Sequence, residues 1–88
     1  MSIIVKVSPM LQIYTDNTGT VEVSGVNVRE CLDDLSAKYP KLEQSIFDKY
    51  GVLKLVILLN GKPVTANSMG TDVYDSDIID LFMPVDGG

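Results

Sequence analysis

The chain has 88 residues, a formal net charge of −5, no histidine, no tryptophan and one cysteine. That length allows one small domain burying ~60–65% of the surface its unfolded chain exposes, and 45% hydrophobic residues supply a single core. A histidine-based triad is excluded, a zinc site or iron–sulfur cluster lacks ligands, and the acidic balance argues against a nucleic-acid backbone as partner.

Ile3 to Val7 is β-branched apart from Lys6. Alternation puts Ile3, Val5 and Val7 on one face and Ile4 and Lys6 on the other. Ser8-Pro9 interrupts this strand, and Met10 to Tyr14 fits either strand or irregular structure. Thr15-Asp16-Asn17-Thr18-Gly19 is a turn cluster, and Thr20 to Ser24 alternates as a half-buried strand. The two strands are expected to form a hairpin.

A helix follows. Asn27 is its predicted N-cap, Glu30 completes a capping box, and Val26 and Cys31 occupy the staple positions. Val28, Leu32, Leu35 and Tyr39 line one face, and Pro40 stops the helix at Tyr39. Residues 41–49 read as a shorter helix with Gly51 as terminator. Val52 to Leu59 is the strongest strand, with Leu53, Leu55, Ile57 and Leu59 facing inward and Val56 and Leu58 outward. Asn60-Gly61 predicts a type I′ turn, since both central residues need positive φ. Lys62-Pro63-Val64 is a short return strand. Asp75-Ser76-Asp77 turns the chain into a last strand, Ile78 to Met83, where Ile79, Leu81 and Met83 alternate against Ile78, Asp80 and Phe82. This order predicts an α+β domain, a mixed sheet with one helix on one face.

Two side-chain groups invite chemistry and neither supports it. Cys31 is flanked by Glu30 and Asp33-Asp34, which raise a thiol pKa, and adjoins the apolar stripe; it reads as a buried structural thiol. Aspartates 72, 75, 77 and 80 lack the spacing, central glycine and terminal glutamate of a calcium loop. A lone cysteine fits a reducing compartment, and a cytoplasmic location is expected. No signal-peptide core follows Ile3-Ile4-Val5, and the run Leu55 to Leu59 is far short of the ~20 residues a bilayer span requires. Neither membrane nor nucleic acid is expected as a partner.

The last strand runs into Pro84-Val85-Asp86-Gly87-Gly88. With Asp77 to Met83 before it, this tail resembles the end of the MoaD/ThiS family of sulfur carriers. Asn60-Gly61-Lys62-Pro63-Val64 is similar to that family's hairpin. Val28-Arg29-Glu30-Cys31-Leu32 with Tyr39-Pro40 is similar to its helix and helix stop. Phe82 and Pro84-Val85 point to the MoaD branch. The resemblance implies a β-grasp (ubiquitin-like) fold, a mixed sheet of four to five strands packed on one main helix plus a short helix. Residues 1–83 would form the globular domain and 84–88 a flexible Gly-Gly tail.

The resemblance also implies a function. In the family, a ubiquitin-activating-type adenylating enzyme joins the terminal glycine carboxylate, here Gly88, to AMP from ATP. The adenylate then becomes a thiocarboxylate that delivers sulfur to a biosynthetic enzyme. The domain itself would be no enzyme, with no catalytic residues, no metal and no permanently bound cofactor; ATP belongs to the activating enzyme. A terminal carboxyl has a pKa of about 3.3–3.7, so Gly88 is ionised at neutral pH. Gly87 and Gly88, lacking Cβ atoms, suit a narrow channel, and Pro84 restricts the tail base. The role most strongly implied is the small subunit of a molybdopterin synthase, docked on a sulfur-accepting, MoaE-like subunit. Alternatives are a ubiquitin-like modifier conjugated through Gly88, a sulfur carrier for thiamine or amino-acid biosynthesis, and a plain β-grasp interaction domain. Phe82, Ile78, Val56 and Leu58 form the expected docking patch on the outer sheet face, since exposed apolar patches mark contact surfaces. Asp75, Asp77, Asp80 and Asp86 would complement a basic partner. Three positions depart from the family pattern: Asp86 next to the glycines, Met83 in place of a proline, and Ser76 in place of a turn glycine.

Overall fold

The computed structural model describes residues 2–84. Five strands build one sheet: β1 (Ile3–Val7), β2 (Thr20–Val23), β3 (Val56–Leu59), β4 (Lys62–Val64) and β5 (Ile78–Phe82). Their spatial order is β2-β1-β5-β3-β4. β1 pairs antiparallel with β2 and parallel with β5, while β3 is antiparallel to both β5 and β4. The parallel pair at the centre requires the connection out of β2 to cross the sheet, and α1 (Val28–Lys38) and α2 (Pro40–Ile46) make that crossing. The mixed sheet packed on one main helix is the β-grasp architecture.

One face of the sheet carries the core. Ile3, Val5, Val7, Val21, Val23, Ile57, Ile79 and Leu81 are buried, as the alternation predicts, and α1 meets them with Val28, Cys31, Leu32 and Leu35. Gly25 lets β2 lead into α1 at close range: a Cβ there would lie 2.8 Å from the Cys31 backbone nitrogen. The Asn27 cap forms, its Oδ1 accepting from the Glu30 N–H at 2.8 Å. The reciprocal half of the box is displaced by one residue, because Glu30 Oε1 accepts from the Val26 N–H. The expected staple is absent: Cys31 is in the core, whereas Val26 is exposed. Tyr39 ends α1 as predicted, its N–H donating to the Leu35 carbonyl.

Local polar bonds explain the remaining differences from expectation. Met10 to Tyr14 belongs to a 3-10 segment, Pro9–Tyr14, steadied by Gln12 Nε2 donating to the Val7 carbonyl. The second helix stops at Ile46, short of the predicted 49, because the Asp48 carboxylate takes the N–H groups of Tyr50 and Val52 and folds the chain into a turn. Gly51, at φ +80°, closes that turn instead of the helix. β3 therefore begins at Val56, not Val52; Leu53 makes only an isolated bridge to Phe47. β5 ends at Phe82, and Met83, expected to face inward, is exposed. At the other end of β3, Asn60 and Gly61 both have positive φ (49° and 83°), as a type I′ turn requires. Among the described residues, no helix is long and apolar enough to cross a membrane.

Candidate functional site

The sheet face turned away from α1 is the candidate site. Its centre is β5, where Ile78, Asp80 and Phe82 alternate with the buried Ile79 and Leu81. Register brings neighbours from both sides onto this face. Val56 lies opposite Phe82 and Leu58 opposite Asp80 on β3, while Ile4 lies opposite Ile78 and Lys6 opposite Asp80 on β1. The four residues expected to share a docking patch therefore do share one face. Val56 and Phe82 are the most open of them, each 41% exposed; Leu58 and Ile78 are half-buried.

Ile4 extends the apolar surface beside Ile78 and was not foreseen as part of it. Alternation had put Ile4 on the outer face, but only the parallel β1–β5 register shows what it adjoins. Two further apolar side chains, Met10 and Ile13, stand more than 70% exposed on the 3-10 segment that follows β1. Because β1 and β5 run parallel, that segment starts at the same end of the sheet where β5 finishes.

The aspartates divide into two groups. Asp80 sits within the patch, between Lys6 and Leu58 in the ladders. Asp75 and Asp77 are at the opposite end of β5 from the tail and have structural tasks. Asp75 Oδ1 accepts from the Ser2 N–H, and Asp77 accepts from Asn60 Nδ2 at 3.0 Å and from the Tyr74 N–H at 2.8 Å. They do not ring the apolar patch as the sequence suggested. Asn60 does more than form a turn: its Oδ1 accepts from the Ile78 N–H, tying the β3–β4 turn to the start of β5.

Cys31 has no part in this face. It is fully buried against the other side of the sheet, and its thiol is pushed up to about 11, first by burial and then by the charges of Asp34, Glu30 and Asp77. A thiol so strongly protonated is a poor nucleophile at neutral pH. Among the described residues, no group of three or more His, Cys, Asp or Glu side chains could hold a metal ion. Pro84 is exposed directly after Phe82 and Met83. The other tail residues of interest, Val85, Asp86, Gly87 and Gly88, lie outside the described residues.

Comparison with known proteins fits this architecture. The ThiS family model matches residues 11–88, most of the chain. The chain belongs to the ThiS family. Its members are ubiquitin-like sulfur carriers, small carrier or modifier proteins. Among solved structures, the chain is similar to small archaeal modifier protein 1 (SAMP1) from Haloferax volcanii, with 29% identity, all of both chains covered and a TM-score of 0.85. It is similar to SAMP1 from Methanosarcina acetivorans at 31% identity, covering 99% of this chain and 96% of that one, with a TM-score of 0.85. Subunit 1 and 2 of molybdopterin-converting factor from Helicobacter pylori form a protein–protein complex that also matches. There the identity is 22%, the whole of both aligned chains is covered and the TM-score is 0.66, a likeness of fold. No curated protein sequence matches this ThiS-family chain.

Proposed function

We propose that this ThiS-family protein carries sulfur on its terminal glycine, Gly88. The observation that supports this most is the extent of the family match, which runs through Gly87-Gly88, beyond a strand whose open face carries Ile78 and Phe82. The Gly88 carboxylate would attack the α-phosphate of ATP on an adenylating enzyme, releasing pyrophosphate. A hydrosulfide-equivalent donor would then displace AMP from the acyl carbon and leave a thiocarboxylate. The carboxylate is ionised at neutral pH without assistance, so this domain needs to supply no general base. Its contribution is the docking face of Val56, Leu58, Ile78 and Phe82, with Pro84 setting the direction in which Val85, Asp86 and the glycines leave. The recipient in this reading is a cofactor-synthesising enzyme, foremost a molybdopterin synthase in which this chain is the small subunit.

Similarity to two proteins named small archaeal modifiers, at 29% and 31% identity, favours a second reading. The same Gly88 adenylate could be attacked by a lysine amine to give an isopeptide bond. Both readings predict ATP–pyrophosphate exchange with a cognate adenylating enzyme and its loss when Gly88 is deleted. High-mass conjugates recovered from cells expressing a tagged chain would support the modifier reading; a free thiocarboxylate without conjugates supports the carrier.

A further inference from the structure

We propose that the Ser8 hydroxyl is a positioning group for the tail, hydrogen-bonding the Met83 carbonyl when the chain beyond β5 is drawn straight into an activating enzyme. The inference rests on the carrier reading and adds to it a residue outside both the tail and the apolar patch.

The β1–β5 ladder closes at Ser8, whose N–H donates to the Leu81 carbonyl at 3.0 Å. Along a strand, backbone groups face the same neighbour every second residue, so the next carbonyl directed at β1 is that of Met83. A continued parallel ladder would meet it with the N–H of residue 10. That donor is withdrawn: Pro9 has no N–H, and Met10 is already in the first turn of the 3-10 segment. Ser8, the residue before Pro9 and directly after β1, carries a hydroxyl donor in its side chain.

The hydroxyl is also free for such a role. Ser8 occupies the N-cap of the 3-10 segment, where a serine oxygen ordinarily accepts from the following turn. It makes no side-chain cap bond here, and the Leu11 N–H donates to the Ser8 carbonyl instead. Its Oγ is closed off from solvent without a partner, and among the described residues no other buried side-chain nitrogen or oxygen is in that condition. An unpaired buried hydroxyl is costly. A Met83 carbonyl brought alongside would satisfy it, so tail extension gains a hydrogen bond that the free protein lacks.

The test compares wild type, Ser8→Ala and Ser8→Thr by thermal melting and by ATP–pyrophosphate exchange with the cognate adenylating enzyme. One net hydrogen bond made when the tail is drawn into the enzyme predicts that Ser8→Ala lowers kcat/KM roughly three- to tenfold. Tm should be unchanged or higher, and Ser8→Thr should restore kcat/KM. Wild-type exchange kinetics in Ser8→Ala would overturn the proposal. So would a rate loss that follows a lowered Tm and is not rescued by threonine, because that pattern is structural. If the wild type itself shows no exchange, the carrier reading fails and the role of Ser8 falls with it.

Discussion

Val56 and Phe82 face each other across the β3–β5 ladder, close to where the tail leaves the sheet, on the side that α1 does not cover. An aromatic–β-branched pair of this kind contributes to the sheet whether or not anything docks there. Its remaining exposure is what a partner would remove. The pair therefore allows stability and docking to be separated by experiment.

Phe82→Ala should cost ~1–2 kcal/mol of folding stability, less than the 3–5 typical of a fully buried phenylalanine. Loss of a central aromatic anchor should cost ~2 kcal/mol or more in affinity for the adenylating enzyme. Calorimetric titration of the folded variant checks this. Unchanged affinity would remove Phe82 from the docking surface.

Asn60 serves two ends, a positive-φ turn position and a bond to each of Asp77 and the Ile78 N–H. Asn60→Gly keeps the turn geometry and loses only the side-chain bonds, an expected cost of ~1–2 kcal/mol. Asn60→Ala loses the same bonds and leaves a Cβ in left-handed backbone without the polar side chain that makes asparagine tolerant there, adding ~1–2 kcal/mol relative to glycine. Urea melts should rank wild type above glycine above alanine.

Fold and site were legible in the sequence to different degrees. The I′ turn, the Asn27 cap, the end of α1 at Tyr39 and the inward faces of β1 and β5 follow from short-range chemistry, which a sequence displays directly. The early stop of α2 and the late start of β3 did not, because one carboxylate, Asp48, captures two N–H groups through a side-chain conformation that hydrophobic periodicity does not encode. The patch was legible from alternation along β3 and β5. Ile4 escaped because its place beside Ile78 depends on a pairing between the first and last strands. Asp75 and Asp77 looked like free surface charge, and only their hydrogen bonds reveal them as turn ligands.

Cys31 makes stability depend on alkaline pH. Its folded value, about 11, exceeds the ordinary 9.0, so the native state holds the thiol proton more tightly than the unfolded chain. The stabilisation is complete below pH 9 and is lost as pH rises through about 11. Stability should fall across that interval in wild type and fall less in Cys31→Ala. At neutral pH the native thiol should resist iodoacetamide and react once urea unfolds the chain.

Asp34 acts at the acid end. The Lys38 ammonium, and then the Ser24 N–H, hold its carboxyl below the usual carboxylate value. A lowered pKa gives stability above the unfolded value of 3.8 that is lost as pH falls through the folded one. The pair is partly exposed, 45% for the Lys38 side chain and 33% for that of Asp34, so solvent screening keeps the expected cost of Asp34→Asn to about 0.5 kcal/mol near pH 7. The difference from wild type should shrink progressively in melts taken further below pH 3.8.

The central claim is that the protein's chemistry resides at Gly88 and in no side chain. Its most direct test is the intact and fragment mass of the protein after incubation with ATP, the cognate adenylating enzyme and a sulfide donor. The account predicts the mass gain of one oxygen-to-sulfur replacement, confined to the fragment that contains Gly88 and undiminished in Cys31→Ala. Sulfur found on Cys31, or an unaltered Gly88 fragment while the same enzyme activates another carrier, would contradict it.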